Sequence, residues 1–235
     1  MNGGLNGGLS GDSNHVLRCV ALLGGSFDPV HAGHLALAQR FTDLLTPDEL
    51  RIIPAGNPYQ KAPLQASAND RVAMLELAFK AAGIAIVIDR QEIARTGASY
   101  TIDTLRQVRA EVGPNVSLVF LMGADQLMQL DSWRDWQQLF ELAHIGVAAR
   151  PGYSLAAASL PAAVAQEISV RQGSLEQLRT TPSGHVLLAP ALAVDISATQ
   201  IRAALRGDDQ AGPLACSLIP PVVLDYIQHH HLYKN

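Results

Sequence analysis

Cysteine and long apolar runs are both scarce in this chain. Its 235 residues include only two cysteines, Cys19 and Cys216. Two cysteines cannot build a disulfide framework, and their positions lack metal-ligand spacing, so we interpret both as structural. No apolar stretch approaches the roughly 18 residues that a membrane-spanning helix needs. The first residues show no basic segment followed by an apolar one. We therefore expect a cytoplasmic protein with no membrane partner.

Aromatic and charged residues are also few. Aromatics make up 5% of the chain and charged residues 16%, against 48% hydrophobic residues, which predicts one globular domain with a largely aliphatic core. The formal net charge of -4 gives no overall attraction to nucleic acid, so we expect no nucleic-acid partner and only local anion sites. Residues 1–15 repeat Asn-Gly-Gly-Leu and hold little apolar surface. We expect a flexible tail over 1–15 and a single domain over 16–235.

Apolar runs typical of β-strands alternate with helical periodicity along the chain. Strands are predicted at 16–23, 50–54, 84–88, 116–122, 144–148 and 185–189. Helices are predicted at 33–45, 69–82, 100–112, 133–142, 197–206 and 220–231, with Asn69 and Ser99 as N-caps. Nearly continuous apolar strands are typical of a parallel sheet that helices cover on both faces. The pattern predicts an α/β fold with a single doubly wound, mostly parallel sheet, whose ligands bind beyond the carboxyl ends of the strands.

The most informative segment reads Gly-Gly-Ser-Phe-Asp-Pro-Val-His-Ala-Gly-His over residues 24–34. Gly24 and Gly25 let the main chain approach a ligand closely, and the N–H groups of the helix that follows point to the same place, as in a phosphate site. His31 and His34 lie three residues apart, so both imidazoles can face that site as donors. Neither the P-loop spacing nor the dinucleotide-binding glycine spacing is present.

Alternative interpretations of this segment stay open. The two histidines could merely cap a helix, or they could bind zinc, although no nearby Cys or Glu completes a zinc ligand set. Asp28 could be a catalytic carboxylate, but in Phe-Asp-Pro we favour a residue that fixes the turn through its own backbone. Phe27 is then expected to pack beneath the loop.

A second anion site is indicated by Asp-Ile-Ser-Ala-Thr-Gln-Ile-Arg over residues 195–202. Ser197 and Gln200 have the spacing of a capping box, which alone would indicate only a well-capped helix. The Ser197 and Thr199 hydroxyls with the Arg202 guanidinium also suit the outer phosphates of a nucleoside triphosphate. Both interpretations can hold together.

These two segments resemble the signature motifs of the nucleotidylyltransferase superfamily. Further segments resemble, in order, the bacterial nicotinate-nucleotide adenylyltransferases: residues 51–61, 99–101 and 122–126, Trp133, and residues 150–153. The resemblance runs from about residue 19 onward and is weakest over 154–184. Relatives often have a histidine where this chain has Gln60, so Lys61 is expected to carry the charge of that loop alone.

The resemblance implies a Rossmann-like nucleotidylyltransferase fold and a reaction of NAD biosynthesis. ATP would adenylylate nicotinate mononucleotide, giving the deamido dinucleotide and pyrophosphate, with Mg²⁺ carried by ATP and no metal site built by the protein. The catalytic residues would be His31, His34 and Arg202. The ATP-binding residues would be Gly24, Gly25, Ser26, Phe27, His31, His34, Gly123, Asp125, Ile196, Ser197, Thr199 and Arg202. The acceptor-binding residues would be Lys61, Tyr100, Thr101, Asp125, Trp133 and Arg150.

Simpler interpretations and rival functions remain beside this one. Trp133 could be core or rim packing, and Asp125 could only favour the N-terminus of a helix. Residues 229–231 are three histidines that we interpret as surface residues. The acceptor could instead be nicotinamide mononucleotide or phosphopantetheine, or the chain could be a regulator that binds nucleotide without turnover. A class I aminoacyl-tRNA synthetase is remote, and homo-oligomerisation is left open.

Overall fold

The predicted parallel sheet is present. A computed structural model describes residues 16–58, 63–149, 159–189, 192, 197–207 and 216–234. Within these residues the sheet has six strands, in the order β3-β2-β1-β4-β5-β6, and every neighbouring pair is parallel. Their bounds are β1 (Cys19–Gly25), β2 (Glu49–Pro54), β3 (Val87–Ile88), β4 (Ser117–Gly123), β5 (His144–Ala148) and β6 (Val186–Ala189). The winding reverses between β1 and β4, where a doubly wound sheet opens a crevice at its carboxyl edge.

Helices follow the strands and return the chain to the opposite edge of the sheet. Their bounds are α1 (Ala32–Leu45), α2 (Ala68–Ala81), α3 (Gln91–Ala94), α4 (Thr101–Val112), α5 (Ala124–Leu127), α6 (Leu139–Leu142), α7 (Ala162–Arg171), α8 (Leu175–Thr180), α9 (Ala198–Leu205) and α10 (Pro221–His229). None of the helices described is long and apolar enough to cross a bilayer.

Two apolar layers cover the two faces of the sheet. Cys19, Ala21 and Leu23 of β1 pack into one layer, and Val20 and Leu22 pack into the other, as the alternation of side chains along a strand requires. The first layer includes residues of α1, α2, α8, α9 and α10. The second includes residues of α4, α5, α6 and α7. Burial on both faces explains why the strands read as continuous apolar runs.

Several predicted elements differ in detail. The helix predicted over 133–142 is broken, because Asp135 adopts a left-handed conformation (φ 50°) and α6 begins only at Leu139. The N-cap of α2 is Ser67 rather than Asn69, and its hydroxyl accepts a hydrogen bond from the Asp70 amide at 3.1 Å. Tyr100 rather than Ser99 precedes α4.

The cysteines are free thiols in the described structure. Cys19 is fully buried in β1, as a structural role predicts, and Cys216 is half-buried in a short 3₁₀ turn. The tail predicted over 1–15 lies outside the described residues, so its flexibility stays a prediction.

Candidate active site

A cavity of about 480 Å³ opens at the carboxyl edge of the sheet. Gly24 and Gly25 at the end of β1 and Gly123 at the end of β4 line it, so it occupies the point where the winding reverses. Residues of both sequence motifs line this one cavity, including His31, His34, Ser197, Thr199 and Arg202. Segments that are far apart in the sequence therefore converge on the same space.

The glycine loop is shaped by the packing of Phe27. Phe27 is fully buried and adopts a left-handed conformation, with φ 49°. A Cβ atom on Gly25 would lie 3.0 Å from the Phe27 ring, closer than side chains normally approach. Gly24 is less restricted, since its Cβ atom would meet Phe120 at 3.4 Å. The expected role of Phe27 as a packing residue beneath the loop is confirmed, and Gly25 is the glycine that this packing requires.

His31 and His34 lie together at the start of α1. Their rings stack with centroids 3.7 Å apart, and Phe27 meets His34 edge-on at 4.8 Å. His31 is the N-cap residue, and its backbone N–H donates to Nδ1 of His34 at 3.2 Å. Because Nδ1 accepts this bond, a neutral His34 carries its proton on Nε2 and can donate it to a ligand. Capping and ligand binding are thus compatible for this residue.

Asp28 is structural, as favoured from the sequence, but by a different mechanism. The expected bonds to its own turn are replaced by bonds to distant segments. Oδ2 accepts from the Gln65 amide at 2.8 Å, and Oδ1 accepts from the Ala66 amide at 3.0 Å and from the Tyr233 hydroxyl at 2.7 Å. Asp28 is 2% exposed. Its carboxylate therefore fixes the loop to the segment before α2 and to the segment after α10.

The second motif forms the predicted capping box at the start of α9. The Ser197 hydroxyl accepts from the Gln200 amide at 3.3 Å, and the Gln200 side chain accepts from the Ser197 amide at 2.9 Å. Arg202 donates from Nη1 to the backbone oxygen of Asp28 at 2.6 Å and from Nη2 to the Thr199 hydroxyl at 3.4 Å. The guanidinium thus connects the two motifs directly and lines the cavity.

Asp125 and Gly123 form the wall that β4 contributes. Asp125 is half-buried in α5, and its Oδ2 accepts from the side chain of Gln126 at 3.2 Å. A Cβ atom on Gly123 would lie 2.4 Å from Oδ1 of Asp125. The carboxylate therefore occupies space that only a glycine at 123 leaves open, and both residues line the cavity.

The part of the wall expected to bind the acceptor contains Ser99, Thr101 and Trp133. The Trp133 ring is half-buried and meets Phe120 edge-on at 6.3 Å. Ser99 does not cap α4; its hydroxyl accepts from the Asn57 amide at 3.2 Å. The Tyr100 side chain lies outside the cavity wall, beneath the Arg134 guanidinium at 4.8 Å from the ring centroid. The structure therefore brings together Thr101 and Trp133 but not the Tyr100 ring.

Three further residues at the site were not predicted from the sequence. Glu92 lines the cavity, is 9% exposed and accepts from the Thr104 hydroxyl at 2.7 Å; burial raises the pKa of its carboxyl. Arg71 is 1% exposed and donates to the Ser26 backbone oxygen at 2.8 Å. Tyr233 contacts Asp28. Arg71 shares a helical face with Met74, Leu75 and Ala78. A cation on an apolar helix face can be recognised in the sequence and indicates a buried polar contact. Glu92 and Tyr233 have no such signal.

Three predicted site residues, Lys61, Arg150 and Ile196, lie outside the described residues, as does Gln60. Among the residues that are described, no group of three or more His, Cys, Asp or Glu side chains is arranged to hold a metal ion.

Known proteins are similar to this chain in sequence and in fold. The model of the cytidylyltransferase-like family matches residues 22–204. A protein of Herminiimonas arsenicoxydans, named probable nicotinate-nucleotide adenylyltransferase, is 60% identical over 94% of this chain and 99% of its own length. A protein of Laribacter hongkongensis with the same name is 47% identical over 92% of this chain and 94% of its own length.

A solved structure has the same fold at low sequence identity. The nicotinic acid mononucleotide adenylyltransferase of Plasmodium falciparum, complexed with NaAD, superposes with a TM-score of 0.67 and 18% identity, covering 92% of this chain and 97% of its own. It supports the fold alone, whereas the sequence relatives support the family. The chain belongs to the cytidylyltransferase-like family and, within it, to the nicotinate-nucleotide adenylyltransferases.

Proposed function

We propose that this chain transfers the adenylyl group of ATP to nicotinate mononucleotide, giving the deamido dinucleotide and pyrophosphate. The relatives at 60% and 47% identity support the choice of substrates through their names. The observation that carries the chemistry is the convergence of both motifs on one cavity, with Arg202 bonded to the Asp28 backbone oxygen at 2.6 Å. A single polyphosphate can then contact both helix N-termini.

The reaction needs charge neutralisation and alignment rather than a base. A 5′-phosphate oxygen of the acceptor attacks the α-phosphorus of ATP, the new P–O bond forms, and the bond to the β-phosphate oxygen breaks as pyrophosphate leaves. The nucleophile is already an anion, so no proton has to be removed and no covalent enzyme intermediate is required. Positioning in line with the leaving group, with cations and N–H donors on the polyphosphate, is the usual source of catalysis in such transfers.

We assign the polyphosphate to His31, His34, Ser197, Thr199 and Arg202. The Nε2 proton of His34, the hydroxyls at the start of α9 and the Arg202 guanidinium all offer positive charge to phosphate oxygens. Gly24, Gly25, Ser26 and Phe27 form the loop on which the nucleotide lies, and Gly123 at the end of β4 and Asp125 in α5 face it. Ile196 is assigned to the same site from the sequence motif alone.

Mg²⁺ would accompany ATP and neutralise its phosphate oxygens when bound. Mg²⁺ is commonly held by one or two carboxylates, by waters and by substrate phosphates. The Asp125 carboxylate lines the cavity, so the described residues fit a metal ion that arrives with ATP. Arg202 contributes positive charge, and the histidines contribute N–H donors, that do not depend on the metal.

We assign the pyridine nucleotide to the wall formed by Thr101 and Trp133. The Trp133 indole offers a flat face for the pyridine ring, and the first turn of α4 offers N–H groups to its carboxylate. Tyr100 contributes to this end as the N-cap residue that precedes α4. Lys61 and Arg150 are assigned to the acceptor by their sequence positions alone.

Release of pyrophosphate across candidate acceptors tests this proposal. Purified protein with ATP and Mg²⁺ is given nicotinate mononucleotide, nicotinamide mononucleotide or phosphopantetheine, and pyrophosphate is measured with a coupled enzyme. We expect the highest kcat/KM with the acid mononucleotide. A higher kcat/KM with another acceptor would identify that acceptor as the substrate. ATP binding without pyrophosphate release would indicate a regulator. A reaction between diffusible nucleotides is consistent with the expected cytoplasmic location. Homo-oligomerisation stays open.

A further inference from the structure

The segment after α10 returns to the underside of the glycine loop. Tyr233 in this segment is 7% exposed and has a left-handed backbone with φ 63°. A bulky residue adopts this conformation rarely and at some energetic cost. Its hydroxyl donates to Oδ1 of Asp28 at 2.7 Å. The side-chain contacts of Tyr233 therefore offset the backbone cost and place a phenol directly beside the proposed polyphosphate site.

Asp28 receives hydrogen bonds from three separate segments. Its carboxylate accepts the Gln65 and Ala66 amides and the Tyr233 hydroxyl, while its backbone oxygen accepts Nη1 of Arg202 at 2.6 Å. A residue held at both its carboxylate and its carbonyl has little freedom to rotate. The direction of the Asp28 carbonyl, and with it the position of the Arg202 guanidinium, thus depends on how firmly the carboxylate is fixed.

Burial makes each of these bonds matter. A buried carboxylate is stable only when its oxygens are hydrogen-bonded. Burial, together with the bond to Asp28, raises the pKa of the Tyr233 phenol, so the hydroxyl keeps its proton and remains a donor. The buried guanidinium of Arg71 adds an attractive charge near Asp28 and holds the Ser26 backbone oxygen at 2.8 Å.

We propose that Tyr233 is a positioning residue of the active site, which acts through Asp28 to hold the Arg202 guanidinium in place for the polyphosphate. This inference rests on the proposed function. Tyr233 does not line the cavity, so its effect on turnover is indirect. Loss of its hydroxyl leaves the ring in place but removes one donor from the Asp28 carboxylate.

The test compares two tyrosines that both donate to an aspartate. Tyr226 on α10 donates to Oδ1 of Asp70 at 3.0 Å, and neither residue lines the cavity. Tyr233→Phe and Tyr226→Phe remove the same atom from the same type of bond. We expect Tyr233→Phe to lower kcat/KM for ATP by about 10- to 100-fold, the effect of small misplacement in a site. Tyr226→Phe should stay within about twofold of the parent protein.

The Michaelis constants distinguish positioning from general damage. In Tyr233→Phe the KM for the pyridine mononucleotide should stay within about twofold, because that substrate is assigned to Thr101 and Trp133 rather than to Arg202. Adding Tyr233→Phe to Arg202→Ala should cause no further loss, since Tyr233 acts through that arginine. Replacing Tyr233 by p-aminophenylalanine, which keeps a donor on the ring, should restore most of the turnover.

Each outcome has one meaning. If the parent protein turns over no pyridine mononucleotide, the proposed function fails. If the parent is active, three results would each contradict the positioning role. The kcat/KM of Tyr233→Phe could equal that of Tyr226→Phe, or kcat/KM could fall equally for ATP and for the acceptor. The third is a double variant in which Tyr233→Phe lowers turnover as much beside Arg202→Ala as it does alone. Circular dichroism checks folding. Should Tyr233→Phe not fold, Asp28→Asn, which replaces one acceptor oxygen of the hydrogen-bonded carboxylate by an amide donor, must show the same selective loss toward ATP.

Discussion

Individual residues at this site serve structure and chemistry together. The Nδ1 atom of His34 accepts the His31 amide at 3.2 Å, while Nε2 remains the donor side of the same ring. Arg202 fixes the Asp28 carbonyl and also lines the cavity. Substitution by alanine removes the structural hydrogen bond and the ligand contact together. A variant that keeps only one of these roles is needed to separate them.

His34 offers such a separation. We expect His34→Ala to lower turnover by about 10²- to 10³-fold, the usual loss for one preorganised donor. In His34→Asn the side-chain oxygen can still accept the His31 amide, but no Nε2 donor remains, so turnover should fall as far while the thermal midpoint stays near that of the parent. His229→Ala, at an exposed position on α10, is the matched control. Near-normal turnover in folded His34→Asn would contradict the assignment.

Secondary-structure elements determine which residues meet. The 3₁₀ segments between α5 and α6 present Trp133 to the cavity and Trp136 to Phe140, and each tryptophan meets its phenylalanine edge-on at 6.3 Å. The two indoles are thus chemically matched, but only Trp133 lines the cavity.

This pair tests the acceptor assignment. Trp133→Ala should raise the KM for the pyridine mononucleotide about tenfold, as loss of a stacking contact worth up to about 1.5 kcal/mol predicts, with the KM for ATP little changed. Trp136→Ala should change neither constant. Since the chain has two tryptophans, Trp136→Phe leaves Trp133 as the sole indole, and its fluorescence should respond to the mononucleotide. An equal loss toward both substrates in Trp133→Ala would argue against stacking.

Arg109 connects several elements at the opposite edge of the sheet. Its guanidinium donates to the backbone oxygens of Gly113, Val116, Leu142 and Pro182 at 2.7–3.0 Å. Arg109→Lys cannot reach four carbonyls from one ammonium group, so we expect it to lower the free energy of unfolding by about 2–4 kcal/mol. Turnover below the transition should be unchanged.

The control for Arg109 lies on the same helix. Arg106 on α4 pairs with Asp103 near the surface, so Arg106→Lys should cost under about 1 kcal/mol. Urea unfolding of both variants measures the difference. Equal midpoints would mean that the carbonyl contacts of Arg109 contribute little.

The sequence predicts which helices and strands are present better than it predicts the residues at which they begin and end. All six strands overlap the apolar runs that predict them. In β1, β2, β4 and β5, burial on both faces leaves a nearly continuous apolar signal. The helix predicted over 133–142 fails because periodicity does not detect the left-handed Asp135. Ser67 caps α2 two residues before the expected Asn69, and Tyr100 precedes α4 while the Ser99 hydroxyl accepts the Asn57 amide instead of capping the helix.

Segments that are far apart in the sequence together form the site of this molecule. Both motifs could be predicted, because each is a short pattern whose residue types already indicate anion binding. The contacts of Asp28 with Gln65, Ala66 and Tyr233 could not, because no local pattern states which distant segments will meet. Arg71 is intermediate, since its position on an apolar helix face is visible but its partner Ser26 is not.

Global stability should depend on pH through His144. This residue is fully buried at the start of β5, its Nδ1 accepts the His185 amide at 3.1 Å, and its Nε2 lies 2.8 Å from the Thr181 backbone oxygen. Both contacts are satisfied by a neutral ring that carries its proton on Nε2. Burial lowers the pKa of His144 to about 4, with smaller contributions from His185 and Arg109.

The direction of the pH effect follows from this pKa. Between pH 6.5 and 4 the unfolded chain binds a proton at His144 that the folded chain does not, so the stabilising contribution is full above 6.5 and falls on acidification, by up to roughly 3 kcal/mol. In urea titrations at pH 7, 6 and 5, His144→Gln should flatten this dependence relative to the parent. His185→Gln, the stacked neighbour, should retain it. Parallel curves for the parent and His144→Gln would contradict the prediction.

The central claim is that two helix N-termini, α1 and α9, bind one polyphosphate. A crystal structure with a non-hydrolysable ATP analogue tests it most directly. We predict that Nε2 of His34 and the guanidinium of Arg202 each lie within about 3.2 Å of an oxygen of the same triphosphate. A triphosphate that contacts only one of these two residues, or that binds outside the cavity at the ends of β1 and β4, would contradict the account.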